Sequence, residues 1–533
     1  MAGDYVGRPP PAPPEVAMEL HALNRAKVAR ELFRISVWSE GTRFLWGYYC
    51  VAVTFMSSMA SQILVLVFAF QDISNGKSIL FAPRLDPDYA VWMGPIKPLS
   101  YFKERYMVSM VCFRDEISAV LHDHYGGPGK PLLFLLHGLN TDSNNFSKPA
   151  QFEEMEKFDT DQSFLHPILS ECRVFKSELE LALIQYANDI SSAAHVEVMQ
   201  RTKVGMKEYQ LESIFLHYVY MYGGCRHCSY TCICATGENS AVLHYGHAAA
   251  PNDRMKLQAN WLEFITKICC INSGSSNDAY RKNDFLEILN DGDMALFDMG
   301  AEYHFYGSDI TCSFPVNGKF TADQRLVYDA VLKAHNLVIS TMRPGVSWTE
   351  MHKLAEKTIL DSLRTGGILI GDVDEMMEAR LGAVFMPHGL GHFLGIDTHD
   401  PGGYGKLVLD IIFFLVSIRG MDRPTEPGLK SLRTVRVLQE DMVITVEPGC
   451  YFIDALLVPA LEDSNLSKFI NHDEICRFKK FGGVRIESDV HVTANGCQNL
   501  TDCPREAWEI EAVMAGAPWP LDKGLLASSN HSA

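Results

Sequence analysis

Short apolar runs separated by polar, helix-periodic stretches dominate the first 165 residues. SILFAPRL and PLLFLLHGL read as buried strands, and their alternation with helical stretches predicts an α/β domain. After HPILSECRVFKS the pattern changes. Ser177 with Glu180 forms a capping box ahead of LELALIQYANDISSAAHVEVM, which predicts an amphipathic helix. A second helix is predicted in KEYQLESIFLHYVYMYGG, stopped by Gly223 and Gly224. Thr321 with Gln324, and Ser347 with Glu350, predict two more capped helices, and the runs rich in Val, Ile, Thr and Phe between them predict strands. The expected organisation is a leader over 1–17, an α/β domain over 18–165, an α+β domain over 166–516 and a flexible tail over 517–533.

One run departs from this pattern. Phe44 to Phe70 carries no charge and follows Arg25, Lys27, Arg30, Arg34 and Arg43. It is long enough to cross a bilayer as a helix, with the basic flank on the cytoplasmic side. Thr54, Ser57, Ser58, Ser61 and Gln62 dilute it, however, and its β-branched and aromatic residues suit buried strands. The strand reading is the expectation, with membrane association through 44–70 as the alternative.

Composition narrows the function. With 65 Asp and Glu against 47 Lys and Arg, the 533-residue chain has a formal net charge of −18. An acidic surface repels phosphate backbones and no basic run offsets it, so nucleic acid is excluded as a partner and a small-molecule or protein partner is expected. Fourteen Cys without the spacing of a secreted scaffold suit reduced thiols in the cytoplasm. MAGDYVGRPPPAPPE, acidic and Pro-rich where a signal peptide needs a basic patch and an apolar run, reads as a disordered leader.

Three signals are weaker than they look. PLLFLLHGLN resembles an α/β-hydrolase oxyanion loop, but no G-x-S-x-G elbow follows it. Cys225, Cys228, Cys232 and Cys234 are dense, yet a tetrahedral zinc site draws its second ligand pair from farther along the chain, so buried thiols are expected. His388 and His392 share the i, i+4 spacing of zinc-protease helices, but the HGLGH glycines and the missing Glu predict a loop.

The carboxylates carry more. MALFDMGAEYHFYGSDITCSFP places Asp298 and Asp309 in two strand-like runs around a polar turn, so a hairpin can bring them to one face. Facing carboxylates in an apolar sheet repel unless a cation lies between them. VITVEPGCYF and GGVRIESDVHV place Glu447 and Glu487 in further apolar strands, where acidic residues are rare unless paired or metal-bound. Four such residues, with His392 available from a glycine loop, point to a metal centre.

At this point SYTCICATGENSAVLHYGH, LFDMGAEY, SDITCSFP, MPHGLGHFLGIDTHD, TVEPG and GGVRIESD resemble the successive motifs of the pita-bread metallopeptidases, and within them the Xaa-Pro dipeptidases (prolidases) more closely than aminopeptidase P. The resemblance implies an α+β fold, with an N-terminal aminopeptidase-P-like α/β domain followed by a pita-bread catalytic domain. It implies hydrolysis of Xaa-Pro dipeptides by a homodimer. Asp298, Asp309, His392, Glu447 and Glu487 would hold two divalent metals, with Asp309 and Glu487 bridging, and their oxygen-rich chemistry favours Mn²⁺. Glu447 is the expected proton shuttle. His244, His388 and His399 match positions that hold substrate or steady the tetrahedral intermediate, His244 and His399 counting as catalytic. Arg433 matches the arginine that receives the substrate's carboxylate, Tyr230 lines the pocket, and Arg485 suits the back of a ligand carboxylate. The alternatives are an Xaa-Pro aminopeptidase acting on longer peptides and a catalytically impaired member of the family.

The chain also departs from that pattern. About 30 residues intervene between NDR and NDGDMALF, over 255–286, and KLVLDIIFFLVSI, over 405–423, replaces a shorter polar loop. Such insertions cost only about 0.6 kcal/mol per doubling of loop length. Phe44 to Phe70 is expected not to match the N-terminal strands of the family.

Overall fold

In the computed structural model, residues 13–14, 19–20, 24, 26, 49–55, 67–72, 76–125, 130–140, 145–246, 291–410 and 415–521 are described. The expected insertion over 255–286 and nearly all of the 1–17 leader lie outside them. The chain forms two compact units: one takes residues 15–180 and 399–422, the other 1–14, 181–398 and 423–533.

The first unit holds a six-stranded sheet built from β1 (Tyr49–Phe55), β2 (Val67–Asp72), β3 (Ser78–Ala82), β4 (Met110–Phe113), β5 (Leu132–Leu135) and β6 (Asp159–Asp161). Its order is β4-β3-β2-β1-β5-β6, with antiparallel pairing from β1 to β3 and parallel pairing elsewhere. β3 is buried along its whole length, as a continuous apolar run requires when both faces are covered. Phe70, Ile79, Phe81, Leu133 and Leu135 meet Ile117 and Leu121 of the helix Ile117–Tyr125 in one core, and Phe70 stands edge-on to Phe81 at 5.3 Å. The described parts of the uncharged run are thus two adjacent strands, as the strand reading expects. Among the described residues no helix is long and apolar enough to cross a membrane. The apolar stretch after Tyr404 is a hairpin of β13 (Gly405–Asp410) and β14 (Leu415–Gly420).

In the same unit Asp400 is buried between Arg173 and Lys176, with Lys176 Nζ at 3.0 Å. Burial pushes its carboxyl up, but the two cations outweigh this and hold it below the usual range.

The second unit contains β7 (His227–Cys228), β8 (Ile233–Thr236), β9 (Met294–Asp298), β10 (Ala301–Tyr303), β11 (Tyr306–Gly307), β12 (Thr311–Pro315), β15 (Val443–Val446), β16 (Gly449–Tyr451), β17 (Gly483–Arg485), β18 (Ser488–Thr493) and β19 (Gly496–Asn499). They form small sheets, β11-β10-β7, β12-β9-β8, β15-β18-β19 and β16-β17. Helices Ala322–Thr341 and Trp348–Thr365 cover them, with Trp348 wholly buried.

The capping signals resolve differently. Thr321 and Gln324 exchange hydrogen bonds at 2.9 and 3.2 Å, and Ser177 and Glu180 at 2.8 and 3.4 Å. Ser347 stands at its helix start without a side-chain cap, and the Glu350 carboxylate pairs with Lys353 at 3.0 Å instead of returning to Ser347. The helix Glu178–Arg201 is not amphipathic as expected but buried over most of its circumference. Its small polar residues make this possible: the Ser191 hydroxyl meets that of Ser308 at 2.8 Å, and His195 Nε2 donates to the Met299 carbonyl at 2.9 Å. Both contacts grip the segment between β9 and β12.

Because both side chains of the Lys176–Asp400 pair are 1% exposed, replacing Lys176 by Ala removes one of the two cations that compensate a buried carboxylate and leaves Arg173 to hold it. We expect Lys176→Ala to lower the stability of its unit by about 3 kcal/mol, read as a reduced thermal midpoint at pH 7. An unchanged midpoint would contradict this reading.

Candidate metal centre

Asp298 ends β9 opposite Thr311, and Asp309 stands two residues before that pair. The link between them turns back closely enough that a Cβ on Gly300 would meet the Ser308 carbonyl oxygen at 1.8 Å, so only glycine fits. The Asp309 N–H is fixed by Asp489 Oδ2 at 2.9 Å.

Glu447 and Glu487 occupy a shared break between two sheets. β15 pairs with β18 up to Val446 and Ser488, and β16 pairs with β17 from Gly449 and Arg485. The break frees backbone groups for other partners. The Glu487 N–H donates to the Thr311 carbonyl at 3.1 Å and the Glu447 N–H to the Leu390 carbonyl at 2.9 Å. The first bond ties Glu487 to the aspartate hairpin, and the second ties Glu447 to the histidine loop.

That loop runs as a strand against β15. The Thr445 N–H donates to the His392 carbonyl at 2.9 Å and the Leu394 N–H to the Val443 carbonyl at 3.1 Å. A Cβ on Gly391 would lie 1.9 Å from the Thr445 oxygen, which explains one glycine of HGLGH. His392 Nδ1 donates to the Phe393 carbonyl at 3.1 Å, leaving the Nε2 lone pair facing Asp309 at 3.3 Å and Glu447 at 3.5 Å.

Asp309, His392 and Glu487 each offer a donor atom within 4.8 Å of the others, and all three are buried. Asp298 is buried beside them and Glu447 is 17% exposed. Burial, then the neighbouring carboxylates, push Asp309 and Glu487 well above the usual carboxylate range, and burial pushes Glu447 up to about 7. Burial also lowers His392, favouring the neutral imidazole that a metal needs. Carboxylates so disfavoured as anions, around an imidazole lone pair, fit a divalent cation.

Arg485 supports this set from behind. Its Nη2 donates to Asp298 Oδ2 at 2.5 Å, its Nε lies 4.0 Å from Glu487 Oε2, and its Nη1 donates to the Tyr451 hydroxyl at 3.0 Å. Tyr451 in turn donates to His388 Nε2 at 3.0 Å, and His388 Nδ1 bonds the Gly389 carbonyl. Both nitrogens of His388 are therefore engaged, and burial lowers it to about 3. The Tyr230 hydroxyl donates to Asp298 Oδ1. Arg433 is half-buried after a turn that packs on Gly389, and its charge acts on His392. His244 is exposed, with its charge acting on His388, whereas His399 is half-buried in the other compact unit. The four cysteines do not converge: Cys234 Sγ meets Met299 at 3.4 Å and Cys225 the Gly223 carbonyl at 3.6 Å, and among the described residues no cysteine belongs to a metal-holding group.

Sequence reasoning missed Thr311, whose hydroxyl donates to Glu487 Oε2 at 2.6 Å, Thr445, which reaches Glu447 Oε1 at 3.3 Å, and also Tyr451 and Asp489. Asp489 could have been suspected, since two residues after Glu487 an acidic side chain again falls in an apolar run.

Comparison with known proteins places this geometry. The model for metallopeptidase family M24 matches residues 182–494, and that for the aminopeptidase P N-terminal domain matches 54–133. A curated Xaa-Pro dipeptidase of Homo sapiens is 51% identical over 84% of this chain and 80% of its own length. A probable Xaa-Pro aminopeptidase of Talaromyces stipitatus is 34% identical over 84% of each chain. A low-pH structure of E. coli aminopeptidase P covers 94% of this chain and 99% of its own, with TM-score 0.65 at 24% identity, and shares the fold: an N-terminal domain followed by a pita-bread domain. A family model matching more than half of the residues, and a relative sharing half of them over most of both lengths, establish that the chain belongs to metallopeptidase family M24.

Proposed function

We propose that this chain hydrolyses Xaa-Pro dipeptides whose C-terminal residue is proline or hydroxyproline. The observation that carries the proposal is the convergence of four carboxylates and one imidazole on a nearly dry site with Arg433 close enough to act on His392. Asp309, His392 and Glu487, flanked by Asp298 and Glu447, would hold two divalent cations, with Mn²⁺ favoured by the hardness of the donors. Such ions supply Lewis acidity and make water a better nucleophile at neutral pH.

The residues themselves do the rest. Glu447 accepts the proton of the attacking water and returns it to the leaving proline nitrogen, and Thr445 holds its Oε1 at 3.3 Å for that exchange. Arg433 receives the substrate carboxylate as a bidentate pair, which fixes the distance from the scissile carbonyl to the C-terminus. Tyr230 walls the pocket against Asp298. His244 orients the peptide and steadies the developing oxyanion. Eleven described cysteines are free thiols, in keeping with the reducing compartment we propose for the chain.

Metal content is checked without turnover. Glu447, raised to about 7, contributes folded-state stability that is complete below its ordinary value of 4.5 and lost as pH rises through 7, and Asp309 and Glu487 act in the same sense. In a chelator the thermal midpoint should therefore fall from pH 6 to pH 8, and Mn²⁺ should remove most of that fall. Equal slopes with and without metal would exclude a dication at this site.

Glu447→Gln keeps the volume but loses the charge and the proton acceptor, so kcat on Gly-Pro should drop at least the ~100-fold typical of a lost general base. Near-normal turnover with metals bound would remove Glu447 from that role.

Gly-Pro should be cleaved and Gly-Pro-amide scarcely touched, because an unpaired guanidinium in a desolvated pocket costs several kcal/mol. Arg433→Ala should narrow the gap between acid and amide without altering metal content. Equal rates on the two substrates with Arg433 intact would instead favour an Xaa-Pro aminopeptidase.

A further inference from the structure

The stretch from Cys228 to Cys232 bulges between β7 and β8, which run in the same direction against β10 and β9, and carries Tyr230 at its midpoint. It is pinned on both sides. The Ser229 N–H donates to the Gly300 carbonyl and its hydroxyl to the Ala301 carbonyl, both at 2.9 Å, while Tyr230 reaches Asp298. At its two ends the thiols face each other: Cys232 Sγ donates to Cys228 Sγ at 4.0 Å. Cys228 is half-buried, whereas Cys232 is buried.

From this arrangement we infer that Cys228 and Cys232 form a redox modification site, closed by peroxide into a reversible disulfide that withdraws Tyr230 from Asp298. The donated S–H favours thiolate at Cys228 and holds its thiol below the ordinary value. That thiolate attacks a peroxide oxygen: the S–O bond forms, the O–O bond breaks, hydroxide leaves, and the sulfur loses two electrons. The Cys232 sulfur then attacks the sulfenic sulfur. The S–S bond forms, the S–O bond breaks, and water leaves with the Cys232 proton. A disulfide needs its sulfurs about 2 Å apart, so they must close by about 2 Å across a five-residue bend. Cys225 and Cys234 do not compete for this partner, being engaged at Gly223 and Met299. Ser229 and Tyr230 lie between the two cysteines, so closing the S–S bond bears on the bonds they make to Gly300, Ala301 and Asp298, and that links the thiols to the site.

The test uses the metal-loaded full chain in thiol-free buffer, titrated with hydrogen peroxide until the exposed Cys476 is oxidised. Peptide mass analysis should show a Cys228–Cys232 link, amide exchange at Ser229 should accelerate, and kcat/KM on Gly-Pro should fall at least tenfold. Dithiothreitol should reverse all three. Cys228→Ser should keep basal activity and lose the sensitivity, and Cys232→Ala should do the same if the first variant folds poorly. No link once Cys476 is oxidised would overturn the inference. So would a link that leaves exchange and turnover unchanged, or equal inactivation of Cys228→Ser. The activity readout alone rests on the dipeptidase reading: if the reduced protein does not cleave Gly-Pro, that reading fails, while mass and exchange still judge the disulfide.

Discussion

Mutual repulsion among four acidic side chains in a nearly dry pocket is the constraint around which the catalytic unit is organised. Each carboxylate loses its water, and each makes its neighbours harder to ionise. A single arginine cannot balance four charges. Arg485 lies 2.5 Å from Asp298 but 4.0 Å from Glu487, and its remaining donors serve Tyr451 and Thr311. Protonation relieves part of the repulsion, as the raised Asp309, Glu447 and Glu487 show, and positive charge from bound cations would relieve it with the carboxylates ionised.

The pocket is held by main chain more than by side chains. Two backbone hydrogen bonds, from Glu487 to Thr311 and from Glu447 to Leu390, join the aspartate hairpin, the glutamate strands and the histidine loop. Gly300 and Gly391 allow the close approaches that these bonds require. Ligand positions set by the backbone do not relax when one side chain is shortened. A shortened carboxylate therefore leaves a gap in the set of donor atoms instead of a collapsed site.

Much of this was legible in the sequence, because acidic residues in apolar runs conflict with their surroundings and so announce themselves. The cap at Thr321, the stop at Gly224 and the strands at 78–82 and 132–135 follow from local chemistry alone. Other features depend on partners remote in sequence. The hydroxyls of Thr311 and Thr445 look like ordinary strand residues until Glu487 and Glu447 fold against them. Tyr451 was hidden for the same reason, since an aromatic in an apolar strand is unremarkable. The buried helix 178–201 was misread as amphipathic because its serines, Asn188 and His195 count as polar by composition but satisfy their hydrogen bonds inside the protein.

The interleaved chain path also sets an order of events during synthesis. Residues 399–422 belong to the same unit as 15–180, so the unit that begins first is not complete when its first stretch has left the ribosome. Asp400 follows Lys176 by 224 residues. At roughly 5–20 residues per second, that separation amounts to about 11 to 45 seconds of elongation. Through that interval Arg173 and Lys176 have no Asp400 to neutralise them. The first unit must therefore persist as an unfinished intermediate, its β13–β14 segment supplied only after most of the catalytic unit has already emerged.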